Sequence, residues 1–296
     1  MSAPTSPAVS AIIIFLDEER FLAEAVESVL AQSFEDWELI LVDDGSSDRS
    51  PELARTYARL HPRRIRCLAH PGGRNLGMSA SRNLGIGGAR GRHIGFLDAD
   101  DVWMPEKLAE QCARLEANPR CGLVYGRTLI WRSWNGGGED FLYPLGIDPD
   151  AVHEPPRLFE LLVENKAQSP TTCNALIRRS LFDAVGGFED RFRGMFEDQA
   201  FFAKALLAAP AYVDGRLWAK YRQHDASCSA RSAQAGVDLA HRRRVLQWMD
   251  RSLGPALAPY PSSRARLRSE IRAIRRRALS RGARRWMRRI AAPLRF

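Results

Sequence analysis

This 296-residue chain reads as an α/β protein, with a mostly parallel sheet covered by helices on both faces and a basic helical region at the C-terminal end. Short apolar strands alternate with helical stripes over the first 130 residues, the rhythm of strand–helix–strand units joined into a parallel sheet. A composition of 45% hydrophobic and 27% charged residues fits a globular protein and excludes disorder over most of the length. Charge is divided unevenly. Residues 241–296 hold 17 arginines, no lysine and two acids, Asp250 and Glu270, so the preceding 240 residues are net acidic although the whole chain is +9.

Val9–Leu16 is apolar enough for a buried strand, and Phe21, Leu22, Ala25, Val26, Val29 and Leu30 then recur at helical spacing. Glu38–Val42 is the second strand. It ends at Asp43-Asp44-Gly45-Ser46-Ser47-Asp48, after which Ser50-Pro51 supplies a helix cap and a first-turn proline. Ile65–Leu68 predicts a third strand, Ser79–Ala89 a helix, and His93–Leu97 a fourth strand running into Asp98-Ala99-Asp100-Asp101. A helix from Pro105 to about Ala117 and a strand at Gly122–Ile130 follow. From Trp131 to about Pro155 the periodicity fails, and Asn135-Gly136-Gly137-Gly138 has the composition of a loop or hairpin tip. Beyond it come a helix near Leu158–Val163, a strand around Asn174–Ile177, a turn at Gly186-Gly187 and a helix opening at Glu197-Asp198.

Several function classes drop out. The apolar run Ala11–Leu16 is cut off by Asp17, Glu18 and Glu19 and lacks a basic leader, and nothing approaches the ~18 apolar residues of a spanning helix. A cytoplasmic protein is therefore expected. Five scattered cysteines without a C-x-x-C pair argue against a disulfide framework or a thiolate metal site. No G-x-G-x-x-G follows the first strand, and neither G-x-S-x-G nor H-E-x-x-H occurs, which disfavours nicotinamide cofactors, esterases and zinc proteases.

What remains is acidic. In a sheet of this kind ligands bind beyond the carboxyl ends of the strands, and here two strand ends deliver Asp43, Asp44, Asp98, Asp100 and Asp101 to one crevice. Asp98 and Asp100 face the same way in extended chain, and two such carboxylates repel unless a cation lies between them or one is protonated. Oxygen ligands suit Mg2+ or Mn2+ completed by substrate phosphates. A solvated acidic turn is the plainer reading of the D-x-D, and helix capping that of Asp43–Asp48. Arg74 or Arg82, in the polar stretch Gly72–Asn83, offers a planar fork of donors to a phosphate or base. Glu197-Asp198 could equally be favourable charge at a helix start, and His224 a surface histidine.

Together the segments Val9–Ile13, Val29–Phe34, Leu41–Asp48, Asn75–Gly77 with Ser81–Asn83, and Phe96–Asp101 resemble the family 2 glycosyltransferases over roughly residues 8–230. The resemblance implies the Rossmann-like GT-A fold and inverting transfer from a nucleotide diphosphate sugar, usually UDP-linked, with Mn2+ or Mg2+. It implies a glycosyltransferase domain at 1–230, with a nucleotide-binding half at about 1–130 and an acceptor-binding half at about 131–230, and an arginine-rich helical extension at 231–296. By residue, it implies that Asp44 contacts the uracil and that Asp98 and Asp100 hold the ribose and the metal-bound diphosphate. Asp101 is an alternative metal contact, His224 reaches metal or diphosphate, and Asp198 is the general base. Asp17 falls where the family's first strand often ends in Pro-x-Tyr-Asn, here Ile14-Phe15-Leu16-Asp17, and with Arg82 it joins the donor-binding set.

In the extension, Arg242–Arg244, Arg275–Arg277, Arg284-Arg285 and Arg288-Arg289 interleave with Leu267, Ile271, Ile274, Leu279, Trp286, Met287 and Ile290. That pattern suits a basic amphipathic helix on an anionic membrane, beside a glycan or lipid-linked acceptor. It also suits a helix packing its apolar stripe on the body; contact with nucleic acid is the weakest of the three. Two rivals stay open at this point: a sugar-phosphate nucleotidyltransferase, and a non-enzymatic nucleic-acid or scaffold protein acting through the basic tail.

Overall fold

The computed structural model describes residues 6–290, with side chains to residue 278. The chain runs β1 (Val9–Phe15), α1 (Leu22–Leu30), β2 (Trp37–Asp43), α2 (Ser50–Leu60), β3 (Ile65–Ala69), α3 (Met78–Gly88), β4 (His93–Asp98) and β5 (Val102–Trp103). It continues through α4 (Lys107–Ala117), β6 (Leu123–Trp131), β7 (Phe141–Leu142), β8 (Ala151–His153), α5 (Arg157–Glu164), β9 (Ala175–Arg178) and α6 (Arg179–Val185). Last come α7 (Glu197–Ala208), β10 (Ala211–Arg222), α8 (Cys228–Ala235), α9 (Asp238–Ser252) and α10 (Pro261–Ile290).

The α/β architecture is as expected, and the sheet is mixed. Its order is β3-β2-β1-β4-β9-β6-β10-β5, with β7 beside β6 and β8 beside β10. Strands β1 to β4 are parallel where they pair, but β9 enters antiparallel to both β4 and β6. Side-chain period reveals a strand and not its direction, so the Asn174–Ile177 pattern carries no sign of this reversal. The side-chain alternation of β1 divides the core: Ile12 and Ile14 join one buried cluster, Ala11 and Ile13 the other. Helices α1 and α4 cover the second cluster, while α5, α7 and α9 cover the first.

The extension is part of that first cluster. Val245, Leu246, Trp248 and Met249 of α9 and Leu267 and Ile274 of α10 are buried with Phe201 and Phe202 of α7, and Trp248 meets Phe192 edge-on at 5.7 Å. Arg264 and Arg268 pair with Asp250, and Arg266 with Glu164. Over the described residues the apolar stripe of α10 thus faces protein, and Arg272, Arg275 and Arg276 face outward. Leu279, Trp286, Met287, Ile290 and the arginine pairs at 284–285 and 288–289 lie outside the residues whose side chains are described. Among the described residues no helix is long and apolar enough to cross a membrane.

Candidate active site

The strand ends β1, β2 and β4 sit side by side, and the chain leaves each through an acidic turn. At the first two ends the carboxylates are tied into backbone. Asp17, at φ +54°, accepts the amides of Ser47 and Asp48, and Asp43 accepts those of Gly45 and Ser46. Asp44 is buried; its Oδ1 takes the amides of Leu76 and Gly77 at 2.8 and 3.0 Å, and its Oδ2 takes Gly77 again. This brings the 45–48 turn against the 73–75 loop so closely that a Cβ at Gly45 (φ +90°) would lie 2.7 Å from the Gly73 carbonyl oxygen. Ser50, expected as a cap for its own helix, accepts the Glu18 amide instead.

The end of β4 is built differently. Asp98 Oδ1 meets Arg82 Nη2 at 2.8 Å and its Oδ2 accepts from Thr172 Oγ1 at 3.1 Å. Asp100 Oδ2 lies 2.9 Å from His224 Nε2. Asp101 is fully buried; one oxygen takes the Arg222 amide and the other has no partner. Burial, with Asp100 and then Asp98 close by, holds the Asp101 carboxyl well above the usual carboxylate range.

Arg82 was expected to face donor phosphate. It lines the cavity described below, buried, with its two terminal nitrogens bound to Asp98 and, at 2.6 Å, to Glu197. It therefore joins the end of β4 to the start of α7, where Phe196 adopts a left-handed φ of +71° and turns the Glu197-Asp198 pair inward. Asp198 accepts the Gln199 amide, and burial together with Glu197 pushes its carboxyl up to about 7, against the opposing Arg82 charge. Asp98, Asp101, Glu197 and Asp198 line one cavity of about 390 Å³, walled on its far side by Tyr143, Ile130 and the 165–173 segment. Asp100 and His224 stand outside that lining, and Asp17 and Asp44 belong to the neighbouring turn.

Three contributors escaped sequence reading. Glu18, beside Asp100 and His224, is pushed up to about 7 by burial and by Asp100. Thr172 reaches Asp98 across 74 positions of chain. Arg222 donates its amide to Asp101 and its Nε to the Asp100 carbonyl, pairs with Glu24, and lies over Trp131 at 4.4 Å and Phe21 at 4.7 Å. No short motif encodes any of these. The sequence pointed only to the histidine that ends the segment Tyr221–His224.

Among the described residues no three His, Cys, Asp or Glu side chains form a cation cage by themselves. Mg2+ and Mn2+ do not need one, since one or two carboxylates plus substrate phosphates suffice. The residues fit such an ion on two counts. Asp101 carries an unsatisfied buried oxygen amid like charges. Asp100 and His224, hydrogen-bonded to each other at 2.9 Å, also offer a carboxylate oxygen and an imidazole nitrogen, donor types that such an ion accepts.

Comparison with known proteins identifies the family and the fold. The family model for glycosyl transferase family 2 matches residues 10–186, more than half of the chain. The chain belongs to this family. The minor teichoic acid biosynthesis protein GgaA of Bacillus subtilis is 40% identical over 104 residues, 33% of this chain and 23% of its own. The chain spans about half or less of the length of several curated relatives it matches. S. aureus TarS, solved in complex with UDP-GlcNAc, superposes with a TM-score of 0.62 at 18% identity, covering 83% of this chain and 72% of that one. The mannosyltransferase PcManGT from Pyrobaculum calidifontis, solved with GDP-Man and Mn2+, gives 0.61 at 18% identity, covering 95% and 76%. Both likenesses speak to the fold, which is that of the GT-A glycosyltransferases.

Proposed function

We propose that this chain transfers a sugar, with inversion, from a UDP-linked donor to a hydroxyl of a cell-surface glycan or a lipid-linked acceptor, with Mn2+ or Mg2+ at the D-x-D. One observation carries the reading: Asp98 and Asp101 from the end of β4 and Asp198 from the start of α7 line the same cavity, joined through Arg82 and Glu197. The neighbours bound to UDP-GlcNAc and to GDP-Man with Mn2+ support the donor class and the ion, and the teichoic acid relative supports the acceptor class.

In this reading Asp100 and His224 would hold the ion with the diphosphate of the donor, Asp101 standing behind them. A divalent ion so held would supply neutralisation of the charge that develops on the departing diphosphate. Asp98, steadied by Arg82 and Thr172, faces the ribose. Asp44 has spent three acceptor positions on loop amides and keeps capacity on Oδ2 for a base N–H. Asp17 shapes the same turn from the other side.

Asp198 takes the proton of the acceptor hydroxyl as that oxygen attacks the anomeric carbon from the face opposite the diphosphate. The new C–O bond forms as the C–O bond to phosphate breaks, which inverts the centre. A carboxyl pushed up to about 7 suits this step, because it keeps affinity for a proton while still being able to release one near neutral pH. Outward-facing Arg272, Arg275 and Arg276 would rest the enzyme on anionic lipid at the inner face of the plasma membrane.

The test is a thermal-shift series of UDP- and GDP-sugars with and without Mn2+, followed by NMR of the product formed from the stabilising donor. A rise in Tm with a UDP-sugar plus Mn2+, and a product of opposite anomeric configuration, are expected. A retained configuration, or no stabilisation by any nucleotide sugar, would overturn the reading.

A further inference from the structure

Arg242 lies in α9, beyond the segment that the family model matches, in the stretch that the sequence divides from the catalytic body. It is nonetheless buried against the turn that carries Asp198. Its Nη1 donates to Gln199 Oε1 at 3.1 Å, its Nη2 to the Val163 carbonyl at 2.6 Å, and its guanidinium lies 5.6 Å from the centre of the Phe196 ring.

Gln199 touches the proposed base, and the other partners belong to the segments around it. Gln199 donates its backbone amide to Asp198 Oδ1 at 2.8 Å and its side-chain amide to Asn165 Oδ1 at 3.1 Å. Phe196 is the left-handed residue that turns the chain into α7, and Val163 is in the last turn of α5, which leads to Asn165 and the 165–173 cavity wall. The preceding residue, His241, backs Gly194 so closely that a Cβ there would lie 2.9 Å from its Cε1. Burying a guanidinium is costly, and this one, with Glu270 as its nearby opposite charge, spans two cavity walls and a left-handed turn.

We infer that Arg242 is a positioning residue: from the C-terminal extension it fixes Gln199 and the Phe196 turn, and so sets where the Asp198 carboxylate points. The inference rests on Asp198 as base, and it makes the extension a working part of the active site. A misplacement of about 1 Å in a base costs up to about 10²-fold in rate, without any need for the donor to bind less well.

The experiment measures kcat with the stabilising UDP-sugar, Kd for UDP plus Mn2+, and Tm, on the full chain carrying Arg242→Ala, Arg242→Lys, Gln199→Met or both changes. Arg242→Ala should lose about 10- to 100-fold in kcat with the UDP affinity kept, and Arg242→Lys, able to reach one acceptor, should recover part of it. Gln199→Met, which keeps the helix whatever becomes of the arginine variants, should show a similar loss. The double variant should be no worse than the more impaired single one. Unchanged kcat in Arg242→Ala, additive losses, or a kcat and UDP affinity falling together with Tm would overturn the inference. Asp198→Asn run in parallel separates the two readings. If that variant is inactive and Arg242→Ala is normal, only the positioning role fails; if Asp198→Asn is itself fully active, the base assignment fails.

Discussion

The carboxylates at the end of β2 and those at the end of β4 are of one residue type and flank the end of β1 on its two sides, yet they are equipped in opposite ways. Asp43 and Asp44, with Asp17 facing them, are filled with backbone amides and hold loops together. Asp98, Asp100 and Asp101 crowd one another and, with Asp198 across the cavity, leave a buried oxygen unpaired and two carboxyls pushed upward. A saturated carboxylate contributes to stability; a crowded one is held at some cost by the rest of the fold, which marks it for chemistry. Substitution on the two sides should therefore separate into loss of stability and loss of rate.

The largest effect is expected on the crowded side. Asp198→Asn should lower kcat by about 10²–10⁴-fold, the range of general-base contributions, while UDP affinity and Tm hold or rise. A fully active variant would erase the distinction.

Next is acidity. Because Asp198 acts deprotonated and its carboxyl is held up to about 7, kcat should climb about tenfold per pH unit below 7 and level off above it. Stability should run the other way. A carboxyl with a raised folded-state value contributes most below its unfolded value near 4 and loses that contribution as pH rises to about 7, so Tm should fall across this window. Asp198→Asn should flatten both slopes in calorimetric and kinetic pH series; slopes unchanged by the substitution would assign them to another group.

On the saturated side, Asp44→Ala leaves the Leu76 and Gly77 amides without their acceptor and should cost about 1–3 kcal/mol in urea unfolding. Its effect on kcat at saturating donor should be smaller than that of Asp198→Asn. A large kcat loss with unchanged stability would reverse the comparison. Smallest of all, Arg272, Arg275 and Arg276 changed together to Gln should leave kcat on a water-soluble acceptor alone and reduce co-sedimentation with anionic vesicles.

The same contrast explains what the sequence could reveal. Strands β1 to β4 and their acidic ends were legible because period and turn chemistry are local signals. Strand β10 was not: Asp214-Gly215-Arg216 interrupts its apolar pattern where its pairing with β6 slips register. Strands β5 and β7, two residues each, and β8, three, are too short to show a period. The bridging part of Arg82, itself a named candidate, and the whole of Arg242 were hidden for another reason. Arginine is ordinarily exposed, so nothing in a one-dimensional pattern marks one that is buried as a bridge between distant segments. The extension looked separate because its charge dominates its composition, whereas Val245, Leu246, Trp248 and Met249, which join it to the core, are spread thinly among the arginines.

The account is tested most directly by titration calorimetry of UDP, with and without Mn2+, into the wild-type chain and into Asp100→Ala. Mn2+ should tighten UDP binding to the wild type, and the variant should lose that gain. Equal affinity with and without Mn2+, or a metal-dependent gain that survives in Asp100→Ala, would contradict a cation-holding site at the end of β4.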